Sequence, residues 1–223
     1  MSPYAVSQDS AENVVLLHGL ARSSASMNSM ATQLSQAGYT VCNIDYPSRQ
    51  HRVEALTDEF VVPEMKKCFL DPLSTINFVT HSLGGIIVRQ IANENPSIKI
   101  GRVVMLSPPN QGSEVVDKLG TWGLFEWING PAGKQLGTAE DSLPNKLGAA
   151  SFELGVITGN RSINLILSTL IPGPDDGKVS IEKAKLEGMQ DFLIVPQTHP
   201  LIMRNSVVQS QTLNFLKNGH FQH

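Results

Sequence analysis

The chain has 223 residues, 41% of them hydrophobic, and its 17 Lys and Arg against 20 Asp and Glu leave a net charge of -3. That length and apolar content suffice for one substantial core, so a single domain over residues 1–223 is expected. The mixed charges form no basic stripe, which excludes the usual nucleic-acid footprint, and no run approaches the roughly 18 apolar residues of a membrane span.

The chain opens MSPYAVSQDSAEN, which has neither a basic n-region nor an apolar h-region. A cytoplasmic location is expected if that start is native, and a periplasmic or secreted one if a leader has been removed. Strand-like and helix-like segments then alternate. The strands are expected at 13–17, 40–44, 76–80, 102–106, 154–158 and 191–195, and the helices at 24–37, 53–70, 83–95 and 201–217. Most of the strands are continuous apolar runs, as in a parallel sheet covered on both faces. Short connections and right-handed crossovers make this a doubly wound α/β fold of about six strands. Pro63 should kink or break the second helix. Cys42 and Cys68 lie in apolar surroundings and are read as two buried free thiols, with a disulfide as the alternative. Neither has a Cys or His neighbour at metal-ligand spacing.

One stretch breaks the alternation. Residues 110–151, about forty in all, are rich in Gly and Pro yet carry TWGLFEWI, and a segment that long is read as a lid or cap insertion. Trp122, Phe125 and Trp127 are its candidates for lining a substrate pocket or meeting a lipid surface.

In an open α/β sheet, functional loops gather at the carboxyl ends of the strands. There the chain has HGL (His18, Gly19, Leu20), THSLGG around Ser82, GPDDGKVS with Asp175 and Asp176, and PQTHPL with His199. A serine hydroxyl needs an adjacent base to be nucleophilic at neutral pH, histidine suits that task, and a carboxylate behind it fixes the tautomer. Ser82 alone could be a helix N-cap. Between His81 and Gly84-Gly85, on a strand-to-helix turn, it reads as a nucleophile instead. The amides of Leu20 and Leu83 could converge on the oxygen of an attacked carbonyl.

These motifs resemble the α/β-hydrolase superfamily, and within it small bacterial lipases and esterases. The elbow G-x-S-x-G appears as Thr80-His81-Ser82-Leu83-Gly84, with threonine for the first glycine. HGL followed by ARSSASM resembles the oxyanion loop of bacterial lipases, NIDYPSR is similar to the segment after their second strand, and the resemblance runs from Val14 to Phe221. It implies a minimal six-stranded sheet lacking the family's first two strands, and a Ser82–Asp176–His199 triad with the Leu20 and Leu83 amides as oxyanion donors. It also implies ester hydrolysis through an acyl-enzyme, without metal or organic cofactor. A thioesterase with the same triad, or a non-catalytic scaffold of this fold, is the alternative.

In GPDDGKV the spacing G-x-x-D-x-x-V resembles the family's acid loop, and that resemblance selects Asp176 as the acid, leaving Asp175 to cap the turn. Asp45 is a weaker alternative acid and reads better as pocket wall. His18 is expected to brace the oxyanion loop and His81 to pack or bond behind the elbow. His51 should lie at a helix start, and His220 and His223 in a frayed tail. His199 is expected to open the last helix directly after the last strand.

Overall fold

The computed structural model describes residues 12–69, 71, 73–119, 123–163, 168–169 and 171–223, with residues 123–128 described by their backbone alone. Six strands form one sheet: β1 (Asn13–Leu17), β2 (Thr40–Ile44), β3 (Ile76–His81), β4 (Ile100–Leu106), β5 (Leu154–Gly159) and β6 (Asp191–Val195). Their order is β2-β1-β3-β4-β5-β6, and every pairing is parallel. The expected strands are all present, with β3, β4 and β5 longer than expected by one to two residues. The six-stranded parallel sheet that the resemblance implies is thus present.

Burial explains why these runs are strands. Successive residues point to opposite faces, and both faces are covered, so both registers must be apolar. On one face Val14, Leu16, Val79, Val104 and Ile157 meet Met30 and Leu34 of α1 (Asn28–Gln36) and Phe215 of the last helix. On the other, Val15, Leu17, Phe78 and Met105 meet the second helical segment and Ile86 and Ile87 of α4 (Leu83–Glu94).

That second segment runs through α2 (Val53–Ala55), a π-helical stretch Leu56–Val61 and α3 (Val62–Cys68). The break expected at Pro63 is therefore a widened turn just ahead of it. A π turn takes up the backbone mismatch that a proline's missing N–H creates, and the helix continues. Cys42 and Cys68 are not free thiols. They form a disulfide between β2 and the end of α3, with Cα atoms 6.0 Å apart. The helix runs back along the sheet until its last turn lies over β2, which brings together two cysteines separated by 26 positions. Closing a loop of that length restricts the unfolded chain by about 3.5 kcal/mol.

Among its described residues, the segment 110–151 holds α5 (Glu114–Leu119), α6 (Gly123–Lys134, kinked where Gly130 leaves helical angles ahead of Pro131) and α7 (Leu143–Lys146). It is tied down at its base. The buried Arg89 of α4 donates to the carbonyls of Asn110 (2.8 Å), Pro144 (2.7 Å) and Gly148 (2.7 Å). Among the described residues no helix is long and apolar enough to cross a membrane.

Two expectations about the C-terminus are corrected. His199 does not open the last helix. A short α8 (Ile181–Ala184) precedes β6, and the last helix, α9 (Ser206–Asn218), starts later, capped by the Asn205 side chain, which accepts from the Val208 amide. Pro200 keeps His199 out of helical geometry. The tail is not frayed either: Phe221 is buried against Phe215, its amide donates to Asp191, and His223 Nε2 lies 2.9 Å from the same carboxylate.

Candidate active site

The site is built at the carboxyl end of β3. The strand ends at His81, the helix begins at Leu83, and Ser82 between them has φ 53° and ψ -117°. For a non-glycine residue that conformation is strained, at a cost of about 1–3 kcal/mol, and it persists only where packing over-determines it. Gly84 supplies part of that packing, since a Cβ there would lie 2.6 Å from the Leu17 carbonyl oxygen on β1. Thr80, in place of the usual first glycine, is a fully buried strand residue whose hydroxyl has no hydrogen-bond partner among the described residues.

His199 reaches this turn from the loop after β6. Its Nε2 lies 3.1 Å from Ser82 Oγ, and its Nδ1 lies 2.9 Å from Asp176 Oδ2. Asp176 is fully buried, and its Oδ1 accepts from the amides of Lys178 (3.0 Å) and Val179 (2.9 Å). Burial alone would push this carboxyl up, but His199 beside it and the amide donors hold it below the usual carboxylate range. An ionised carboxylate only accepts, so His199 Nδ1 carries the ring proton. Nε2 is then bare and faces the serine hydroxyl. Asp175 points elsewhere, accepting from the Ser168 hydroxyl (2.8 Å) and the Gly177 amide (2.6 Å).

The loop after β1 is braced from β2. The Tyr46 amide donates to His18 Nε2 (3.2 Å), His18 Nδ1 donates to the Gly19 carbonyl (2.9 Å), and the Tyr46 hydroxyl donates to the His18 carbonyl. The two rings stack at 4.0 Å. Asp45 accepts from the Ser24 amide at 2.7 Å, beside His18 and away from His199. His51 packs on Phe60. Leu20 lines a cavity of about 60 Å³ with Ser82, His199, Pro109, Val179 and, from the segment after β4, Leu136. Leu83 is buried as the first residue of α4. Trp122, and the side chains of Phe125 and Trp127, lie outside the described residues.

Two residues have partners that sequence reasoning did not name. His81 is one: its Nε2 lies 3.0 Å from the His199 carbonyl oxygen. Arg89 is the other, and an arginine inside the otherwise apolar run of α4 was the signal that could have found it.

Burial holds both His18 and His81 below the ordinary imidazole range. The unfolded chain takes up a proton at each as pH falls through about 6.5, and the folded chain does not, so acid favours unfolding. Each imidazole should cost up to about 1.4 kcal/mol per pH unit below that point. Urea unfolding at about pH 7.5 and pH 5.5 should show a clear loss of stability in acid. Equal stability at both would mean that these rings protonate freely in the folded protein.

The profile of the family described as the alpha/beta hydrolase fold matches residues 12–153. Among curated proteins no significant match is found. Solved structures similar to this chain include the mature lipase BlEst2 of Bacillus licheniformis, at 20% identity and a TM-score of 0.74 over 96% of both chains. Lipase B of Aspergillus fumigatus is 14% identical with a TM-score of 0.69, over 98% of this chain and 55% of that one. A carboxyl esterase of metagenomic origin, MGS0156, is 18% identical with a TM-score of 0.63, over 90% of this chain and 68% of that one. The parallel six-stranded sheet, the strained serine turn and the family match together establish that this chain belongs to the α/β-hydrolase fold family.

Proposed function

We propose that this hydrolase-fold protein cleaves carboxylic esters through Ser82, His199 and Asp176. The observation that carries the reading is the hydrogen-bond chain from Ser82 Oγ to His199 (3.1 Å) and on to Asp176 (2.9 Å), built on a strained turn. Ser82 Oγ attacks the ester carbonyl as its proton passes to His199 Nε2. Asp176 stabilises the imidazolium that results. The carbonyl oxygen becomes an anion facing the amides of Leu83 and Leu20. Leu83 stands in the first turn of α4, where amides lack intrahelical acceptors, and Leu20 is on the loop braced by His18 and Tyr46. His199 then gives its proton to the departing alkoxide, leaving an acyl-serine. A water molecule, deprotonated by His199, releases the acid and restores Ser82.

The mostly aliphatic lining of the adjacent cavity supports an apolar acyl group, and Leu136 of the insertion forms part of that wall. That the similar structures include two lipases and a carboxyl esterase supports the same reading. A fluorophosphonate should add one mass label, which peptide mapping should place on Ser82. p-Nitrophenyl esters of increasing acyl length should be turned over and then rank the acyl pocket. An active protein labelled at another serine, or not labelled at all, would remove the assignment.

A further inference from the structure

The bonds used so far hold the ring of His199, but a base is only as well placed as its backbone. His199 lies on a stretch without regular secondary structure between β6 and the turn Ile202–Arg204. Its amide donates to the Asp176 carbonyl at 2.9 Å. Its carbonyl faces His81 Nε2 at 3.0 Å, across 118 positions of sequence. A carbonyl only accepts, so His81 Nε2 must carry a proton and donate.

We propose that His81 is a positioning residue whose Nε2–H clamps the His199 carbonyl and thereby keeps the His199 imidazole in line with Ser82. The inference rests on His199 being the base. With it, the amide, the carbonyl and both ring nitrogens of His199 each have one defined partner.

The surroundings of the second ring nitrogen explain why this histidine stays neutral. His81 is 1% exposed, and its Nδ1 has no hydrogen-bond partner among the described residues. The ring is wedged under the loop after β1: a Cβ at Gly19 would stand 2.6 Å from Nδ1 and 3.2 Å from the Ser82 Cβ. A proton on Nδ1 would point into that contact with nothing to accept it. The charged or titratable side chains that act on His81 are His199, Arg22 on the loop after β1 and Lys178 on the loop after Asp176, and each opposes a second positive charge. The two rings stand 4.9 Å apart, so a cation at His81 would oppose the imidazolium that catalysis needs at His199. A neutral donor holds the loop without that penalty.

His81→Gln and His81→Met give a near-isosteric pair, of which only glutamine can donate to the carbonyl. Both should lower the melting temperature by similar amounts, because both leave the ring's space imperfectly filled. On p-nitrophenyl acetate, His81→Met should lower kcat by about 100-fold with KM little changed, the scale of a misplaced catalytic group. His81→Gln should recover at least about tenfold of that loss. Equal activity in the two variants would reduce His81 to filler and overturn the proposal. Nitrogen-15 NMR of histidine-labelled wild type decides independently of folding defects. His81 should show the neutral Nε2–H tautomer throughout about pH 6 to 8. An Nδ1–H tautomer, or titration in that window, would overturn the clamp. A wild type that turns over no ester but keeps the Nε2–H signal would sink the esterase reading and leave the clamp standing.

Discussion

Ester turnover should fall roughly 10⁴- to 10⁶-fold when His199 becomes alanine, because Ser82 Oγ then has no group within reach to take its proton. Ser82→Ala should cost about as much, since each change removes one half of a single act. The double variant is the sharper measurement. Residues acting as a unit are strongly non-additive, so Ser82→Ala with His199→Ala should be no slower than either alone. The backbone bonds of His199 do not use the ring, so the alanine variants should stay folded, as near-ultraviolet circular dichroism would show. Losses that multiply in the double variant would mean the two groups act in separate steps, contrary to the 3.1 Å contact between them.

Asp176→Asn should cost about 10³- to 10⁴-fold in kcat, far more than Asp175→Asn. An asparagine amide can donate as well as accept. Its NH₂ facing His199 Nδ1 would favour the opposite tautomer and turn an N–H toward Ser82, which then cannot lose its proton. Asp175 has different partners, the Ser168 hydroxyl and the Gly177 amide, and its loss should appear in stability more than in rate. Steady-state kinetics on p-nitrophenyl acetate beside thermal melts would separate the two effects. If Asp175→Asn proves the slower enzyme with an unchanged melting temperature, the acid is the other carboxylate.

The sheet was legible because both its faces are covered, so β1 and β4 carry unbroken apolar runs, Val14–Leu17 and Val103–Leu106. The loops at its carboxyl ends were legible because their residue types are chemically unusual together: a serine before paired glycines, two aspartates in a glycine-rich turn, a histidine before a proline. What sequence could not supply was contact at a distance. Cys42 and Cys68 looked like buried thiols because nothing local says that a helix returns over β2. The tail looked loose because its anchors, Asp191 and Gln211, belong to other elements. His81 was noticed for its place beside the serine. Its partner is a carbonyl, which carries no residue signature at all.

The contact between His199 and Ser82 joins positions 117 apart, and β6, the strand that delivers His199, is the outer strand on its side of the sheet. Time enters here. A ribosome releases the elbow 117 positions before it releases the base, so a growing chain carries a serine without its activator until β6 and the loop after it emerge. An edge strand is also among the first elements to open locally. Hydrolysis therefore reports on the docking of β6 and α9 rather than on the presence of the core. During mild denaturation, activity should disappear while the inner strands β1, β3 and β4 remain paired.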